Sequence, residues 1–192
     1  FQREARTAAA LNHPGIAAIY EVGETNGRHF IAMQYIEGRT LQLHPRNDRK
    51  SLARLVRDAA KALDHAHRLG VIHRDLKPEN LMVESVSDES RVVILDFGLA
   101  KRIQGGESLS RAGTVAGTLA YMSPEQARGD NLDERADVYS LGATLYEVLT
   151  GKPPFEGANP YDIMKRIEDT EPTTPRRLNQ HIPHDLETIV LK

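Results

Sequence analysis

The segment from Val138 to Leu149 restricts the fold of this chain most, because its residues are apolar on almost every side of a helix. Such a helix is stable in water only when other elements cover all of its faces. Gly151 and the pair Pro153-Pro154 would end it, since glycine is favoured just past a helix and proline cannot continue one. We therefore predict a helix in the centre of a domain, with Glu147 as a solvated charge.

The composition is that of a globular domain with a packed core. The 192 residues are 40 % hydrophobic and 27 % charged, with a formal net charge of -2. This length suits one domain, and the mixture of both charge signs argues against disorder. Because no long basic run is present, no nucleic-acid partner is expected.

The absence of cysteine and of long apolar runs limits the kinds of site that the chain can form and its contact with a membrane. It contains no cysteine, which removes disulfides, cysteine zinc sites and thiol nucleophiles and is compatible with a reducing compartment. Apolar runs stay well short of the roughly 18 to 20 residues of a membrane helix, and the first residues do not resemble a signal peptide. We expect no membrane contact by this segment, although a longer parent protein could still be anchored in a membrane.

Periodicity predicts further helices and two hairpins. Apolar residues between Ser51 and Leu69 follow the i, i+3, i+4 spacing of an amphipathic helix, which Gly70 would end. Helices are also predicted over 1–11, 160–168 and 184–192, and strands over 16–22, 28–36, 81–83 and 92–95, the first two joined by a turn at Thr25-Asn26-Gly27. The stretch 101–117 reads as a long functional loop. The predicted fold class is α+β.

Charged and amide side chains gather in two short segments at the ends of predicted strands. The first reads His73-Arg74-Asp75-Leu76-Lys77-Pro78-Glu79-Asn80, and the second, sixteen residues later, reads Asp96-Phe97-Gly98. Phosphoryl transfer needs a carboxylate to accept the proton of the attacking hydroxyl, oxygen ligands for magnesium, and a cation near the transferred group. The two segments supply such a set.

These segments resemble the catalytic loop and the magnesium-binding motif of the eukaryotic-type protein kinase family. Further segments occur in that family's order: Gly117-Thr118, Ser123-Pro124-Glu125 and Asp137-Val138-Tyr139-Ser140-Leu141-Gly142. The lysine at position 77 resembles the serine/threonine class, because tyrosine kinases usually lack it. The runs 126–129 and 151–155 resemble bacterial members of the family.

The resemblance implies a role for each residue of the two segments. Asp75 would be the catalytic base and Lys77 the cation beside the γ-phosphate of ATP. Asn80 and Asp96 would bind Mg²⁺, so ATP and Mg²⁺ are the implied cofactors. Phe97 would be a packing element that differs between active and inactive states.

The resemblance also implies nucleotide-binding positions that depend on the course of the backbone. Met33 would be the gatekeeper before the hinge, the backbone at Gln34 and Ile36 would meet the adenine, and Met82 would form the floor of the adenine pocket. The alternative for both methionines is that they are ordinary core residues. Glu4 lies where the family carries the glutamate that pairs with the ATP-binding lysine.

The segment from Asp96 to Glu125 would be the activation segment, in which Thr118 lines the protein-substrate site. The candidate phosphosites are Ser108, Ser110 and Thr114. A phosphate there could pair with Arg74 and order the segment. A second kinase molecule acting in trans is therefore a candidate partner besides the protein substrates.

Three further residues would be structural by this resemblance. Asp137 would brace the catalytic loop from the central helix, and Glu125 would close the activation segment with a buried ion pair. His73 is expected to be a packing residue of the loop rather than an acid or base.

The implied fold has two lobes with the active site between them. Residues 1–36 would be a remnant of the small β-containing lobe, with the regulatory helix and last strands, and residues 37–192 a mainly α-helical large lobe lacking its final helices. The family's glycine-rich loop and V-A-I-K lysine would precede Phe1, so the chain alone is expected to bind ATP poorly. The implied location is cytoplasmic, on the cytoplasmic side if the parent is anchored.

The implied function is transfer of the γ-phosphate of Mg-ATP to serine or threonine hydroxyls of proteins. A small-molecule kinase of related fold would not be expected to carry the peptide-holding segment 117–125. A pseudokinase-like binding scaffold would be expected to lose Asp75, Asn80 or Asp96, and all three are present. A catalytically silent fragment is the remaining alternative.

Overall fold

The structure of the chain is a computed structural model that describes residues 8–45, 48–86, 89–97 and 119–192. The strands are β1 (Ile19–Thr25), β2 (Arg28–Met33), β3 (Gly38–Thr40), β4 (Leu81–Val86) and β5 (Glu89–Ile94). The helices are α1 (Arg49–Arg68), α2 (Pro124–Arg128), α3 (Arg135–Thr150), α4 (Pro160–Asp169), α5 (Pro175–Leu178) and α6 (His184–Val190). Short 3-10 turns occupy Leu41–Leu43 and Pro78–Asn80. The predicted α+β class is confirmed.

The first hairpin, β1 with β2, turns at Asn26-Gly27, within the predicted turn at Thr25-Asn26-Gly27, whose first residue is the last of β1. Asn26 and Gly27 both have positive φ, 52° and 72°, and Thr25 pairs with Arg28 across the turn. Two successive residues of positive φ give the turn a twist that matches antiparallel strands, which is why Asn-Gly is favoured there. Strand β1 has the predicted length but begins and ends three residues later than predicted, and β2 is shorter than predicted because it ends at Met33.

The residues before β1 attach this hairpin to the second sheet. Ile16 forms a parallel bridge with Ile94 at the end of β5. Ala17 donates its N–H to the Ile94 carbonyl at 2.9 Å, and the Ile94 N–H is donated to the Gly15 carbonyl at 2.9 Å. The backbone groups at 15–17 are thus used by β5, which explains why β1 starts later than its apolar pattern predicts.

The second sheet has the antiparallel order β3-β4-β5. The predicted pairing of β4 with β5 is confirmed, with Leu81 opposite Ile94. Sequence periodicity missed β3, which has only three residues. Gly38 begins it because the backbones approach closely there, and a Cβ at this position would lie 2.3 Å from the Val83 carbonyl oxygen.

Helix α1 confirms the amphipathic prediction and packs its apolar face into the main core. It begins two residues earlier than predicted because Asp48 is the N-cap and its carboxylate accepts the Ser51 N–H at 3.1 Å. Gly70 follows its end with a φ of 73°. Leu52 and Leu55 are almost completely buried, and burial of each such side chain stabilises the fold by about 1.5–3 kcal/mol.

Helix α3 is the predicted central helix. Its buried residues Leu141, Leu145, Val148 and Leu149 belong to the same core cluster as the apolar face of α1, and Gly151 ends it with a φ of 87°. The expectation that Glu147 is a solvated charge was wrong, because the hydroxyl of the buried Tyr121 donates to its carboxylate.

The remaining predictions divide between described and undescribed residues. Helices α4 and α6 confirm the predicted segments at 160–168 and 184–192, the second ending at Val190. Of the predicted helix over 1–11, only residues from Ala8 onward are described, and the predicted loop 101–117 lies outside the described residues. Within the described ranges, no helix combines the length and apolar character needed to cross a membrane.

Candidate active site

The loop that carries Asp75 is held by a carboxylate from the central helix. Asp137, near the start of α3, is completely buried. Its Oδ2 accepts the N–H of His73 at 2.8 Å and its Oδ1 accepts the N–H of Arg74 at 2.8 Å. His67 of α1 adds a third contact, with its Nε2 2.7 Å from Oδ2. These are the contacts that the predicted brace requires, and they satisfy a buried charge that would otherwise be costly.

The brace holds a strained backbone. Arg74 has a φ of 67°, in the left-handed region. For a residue with a Cβ this conformation costs about 1–2 kcal/mol. The hydrogen bond from its N–H to Asp137 compensates part of this cost, so the residue just before Asp75 keeps an unusual conformation because of a buried partner from α3.

His73 connects this loop to the segment that carries Asp96. Its Nε2 lies 2.8 Å from the carbonyl oxygen of Leu95, so this nitrogen donates. The other ring nitrogen, Nδ1, accepts the N–H of Asp75 at 3.2 Å, which specifies the neutral imidazole with its proton on Nε2. The ring also packs on Phe97, with centroids 4.8 Å apart. His73 is therefore a packing and bridging residue, as expected.

Burial lowers the pKa of His73, while the nearby carboxylates of Asp137, Asp75 and Asp96 partly oppose that shift. The unfolded chain then binds the proton more readily than the folded chain, so stability rises with pH in this range. The contribution of His73 is complete above the ordinary value of about 6.5 and is lost as the pH falls below it.

We predict that acidification from about pH 7.5 to about pH 5.5 lowers the free energy of unfolding, and that His73→Phe makes this dependence less steep. The slope should not vanish, because burial also lowers the pKa values of His13 and His44. Urea unfolding at several pH values measures it. The exposed His181 provides the control His181→Phe, and equal slopes for the two variants would contradict the prediction.

Asn80 is nearly buried and its amide is oriented by the backbone of Asp75. Its Nδ2 donates to the Asp75 carbonyl at 2.8 Å. The backbone carbonyl of Asn80 accepts the N–H of Leu95 at 2.8 Å. Because the donor end of the amide is used in this way, the Oδ1 atom is the end that remains suited to a cation.

Asp75 and Lys77 lie side by side and remain accessible. The Nζ of Lys77 is 3.8 Å from Oδ2 of Asp75, and the two side chains are 22 % and 20 % exposed. Both side chains are therefore partly in contact with solvent. A carboxylate and an ammonium at this separation can respectively accept a proton from a hydroxyl and stabilise a negatively charged group beside it.

Asp96 follows β5 with a φ of 52° and an exposed side chain. Asn80 is linked to the residue before it through the Leu95 N–H. Carboxylate and amide oxygens are ligands that Mg²⁺ accepts, and Mg²⁺ commonly uses one or two protein groups together with substrate phosphates. The residues at 80 and 96 therefore fit this ion. Among the described residues no group of three histidine, cysteine, aspartate or glutamate side chains could form a separate metal site.

The predicted nucleotide-binding positions lie around the junction between the two sheets. Met33 ends β2 and is half-buried. The N–H of Gln34 is donated to the Ala18 carbonyl at 2.7 Å, so its carbonyl is the group left to meet an adenine. Met82 on β4 packs against a small cluster of buried residues that includes Ile36. Their roles in binding stay predictions.

Some predicted site residues cannot be placed. Glu4, Thr118 and the phosphosite candidates Ser108, Ser110 and Thr114 lie outside the described residues. Their roles also stay predictions.

The sequence reasoning missed two contacts, one of them with the loop that carries Asp75. Gln126 in α2 donates from Nε2 to the Arg74 carbonyl at 2.8 Å. Tyr121 donates to Glu147, and burial followed by this hydrogen bond raises the pKa of the Tyr121 phenol. The spacing Ser123-x-x-Gln126 signals a capping box, but no local signal predicts either contact, because the partners are 52 and 26 residues apart.

Comparison with known proteins gives matches along the whole chain. A family model described as a protein kinase domain matches residues 1–189. The chain is 42 % identical over 200 residues to serine/threonine-protein kinase PknB of Mycobacterium leprae, covering 100 % of this chain and 32 % of that protein. It is 43 % identical over 204 residues to serine/threonine-protein kinase pkn3 of Myxococcus xanthus, covering 100 % of this chain and 37 % of that one. The chain thus spans about a third of the length of these curated relatives.

A solved structure resembles the fold as well. The crystal structure of the Mycobacterium tuberculosis PknI kinase domain, a double mutant, matches with a TM-score of 0.71 and 27 % identity. The match covers 99 % of this chain and 69 % of that domain.

Proposed function

The chain belongs to the protein kinase family, and we propose that the complete protein transfers the γ-phosphoryl group of ATP to serine or threonine hydroxyls of proteins. Its relatives include bacterial serine/threonine-protein kinases. The predicted two-lobed α+β fold agrees with the match to the PknI kinase domain. The observation that carries the proposal is the pairing of Lys77 with Asp75 at 3.8 Å on a loop that a buried carboxylate holds.

Asp75 is the proposed catalytic base. Its carboxylate is partly exposed, and its backbone is held by two side chains, since its N–H donates to His73 and its carbonyl accepts from Asn80. It would orient the substrate hydroxyl and accept its proton, a contribution of about 10²–10⁴-fold to the rate. The ammonium of Lys77 beside it would stabilise the charge of the transferred phosphoryl group.

The protein kinase family generally uses ATP and Mg²⁺. In this chain Asn80 and Asp96 would hold Mg²⁺, which when bound neutralises negative charge on the nucleotide phosphates. The proposed adenine contacts are the carbonyl of Gln34, the backbone of Ile36 and the side chains of Met33 and Met82. The half-buried Met82 and its apolar neighbours support this, because an adenine ring needs an apolar surface to lie against.

Regulation and lobe boundaries form the finer part of the proposal. Residues 1–36 would belong to the small lobe and residues 37–192 to the large lobe. Glu4 would pair with the ATP-binding lysine, and Thr118 would line the protein-substrate site. The phosphosites proposed in the activation segment are Ser108, Ser110 and Thr114. A second molecule of the kinase is the proposed enzyme that modifies them, and Arg74 the proposed partner of the phosphate.

The test is phosphate transfer by the complete protein. Incubation with labelled ATP, Mg²⁺ and a generic protein substrate should give phosphoserine or phosphothreonine, identified by mass spectrometry, which also maps any label within 108–114. Removal of Mg²⁺ with a chelator should abolish transfer and Mg²⁺ addition should restore it. A complete protein that binds nucleotide or a protein partner but transfers no phosphate would instead support the binding-scaffold alternative.

A further inference from the structure

Gln126, in the first turn of α2, connects two parts of the molecule through one side chain. Its Oε1 accepts the N–H of Ser123 at 2.9 Å, and the Ser123 hydroxyl accepts the Gln126 N–H at 3.4 Å. This reciprocal pair is a capping box. The other end of the amide, Nε2, donates to the carbonyl of Arg74 at 2.8 Å. One amide therefore caps α2 and contacts the catalytic loop.

The carbonyl that Gln126 binds belongs to the peptide unit that leads into Asp75. The N–H of the same peptide unit is donated to His73 at 3.2 Å. The N–H of Arg74 is held by Asp137, and Arg74 itself has the strained φ of 67°. The carbonyl and the N–H of the Arg74–Asp75 peptide unit are thus both bound by side chains. The orientation of this peptide unit sets the direction in which the Asp75 side chain leaves the backbone.

The chemistry of the capping box does not by itself require glutamine. Glutamate serves equally well at this position of a capping box, and a negative charge is favoured in the first turn of a helix. Only the amide, however, can donate to the Arg74 carbonyl, since an ionised carboxylate accepts hydrogen bonds and cannot donate them. The cap would thus accept glutamate at position 126, whereas the hydrogen bond to the Arg74 carbonyl requires glutamine.

We propose that Gln126 is a positioning residue for the proposed catalytic base, because it fixes the orientation of the peptide unit before Asp75 and couples that unit to α2. This inference rests on the proposed kinase function. Because α2 follows in sequence after Thr118, which is proposed to line the protein-substrate site, a shift of α2 would be transmitted through Gln126 to the base.

The test compares Gln126→Glu with Gln180→Glu in the complete protein. Gln180 is exposed and lies between α5 and α6, and its replacement by glutamate gives the same change of charge. Gln126→Glu keeps the cap and loses only the donor to the Arg74 carbonyl, so its melting temperature should fall less than that of Gln126→Ala, which loses both. Its kcat should fall at least about tenfold, because a small misplacement of a catalytic group can cost up to about 10²-fold. The KM for ATP should stay unchanged, since the nucleotide contacts are elsewhere.

A kcat of Gln126→Glu within about twofold of the control overturns the inference. The inference is also overturned if Gln126→Glu loses as much melting temperature as Gln126→Ala and its kcat falls only in proportion. Gln126→Ala loses the cap as well, so equal losses would leave Gln126 a purely structural role. If the unaltered protein transfers no phosphate, the proposed function fails. The positioning role of Gln126 is then tested separately, on the backbone amide of Asp75. A changed NMR chemical shift of that amide in Gln126→Glu but not in Gln180→Glu upholds the positioning, and an unchanged shift refutes it.

Discussion

Replacing Asp75 by asparagine is expected to lower kcat by about 10²–10⁴-fold without unfolding the protein. Asparagine has almost the same shape but cannot accept the proton of the attacking hydroxyl. The backbone contacts of residue 75, to His73 and Asn80, do not involve its side chain and should persist. The lost ion pair with Lys77 is partly exposed, and such pairs contribute only about 0–1 kcal/mol to stability.

The measurement is kcat for phosphate transfer by the complete protein, with ATP binding measured alongside. Asp64→Asn is the matched control, because Asp64 is an exposed residue of α1 that pairs with Arg68. Nearly unchanged ATP affinity with lost transfer would assign the effect to the chemical step. A variant of Asp75 that retains the kcat of the control would refute the assignment of the base.

The elements that the sequence predicted well are those with long and regular apolar patterns. Helices α1 and α3 each have many buried residues at regular positions, so their periodicity survives local exceptions. The hairpin of β1 and β2 carries a turn sequence whose conformation is dictated locally. In contrast, β3 and α2 have three and five residues, which is too short for periodicity to distinguish them from loops.

The candidate site divides in the same way. Asp75, Lys77 and Asn80 lie within one short segment, so their closeness follows from the sequence together with the family resemblance. The contact of Gln126 with Arg74 joins residues 52 positions apart, and it depends on how α2 packs beside the loop. The error at Glu147 has a similar cause, because its partner Tyr121 comes from a distant part of the chain.

Replacing Asp137 by alanine is expected to have the largest effect on stability, about 3–5 kcal/mol, because it removes one partner from a buried hydrogen-bonded network around a charge. The carboxylate is completely buried and accepts from the backbone of His73 and Arg74 and contacts His67. Each buried N–H left without a partner costs about 1–3 kcal/mol. A small domain has only about 5–15 kcal/mol of stability in total, so the loss would be a large part of it.

The activity of the same variant should fall together with its stability, and the physical reason lies in Arg74. Its φ of 67° is maintained against a cost of about 1–2 kcal/mol. Without Asp137 the residue can relax toward an ordinary conformation, which would turn the peptide unit that leads into Asp75.

Urea unfolding measures the stability, and kcat at a temperature where the variant remains folded measures the activity. Asp133→Ala is the control, because that carboxylate is exposed and pairs only locally with Arg135. If Asp137→Ala lost less than about 1 kcal/mol, as is usual for an exposed ion pair, Asp137 would not be the residue that holds the loop.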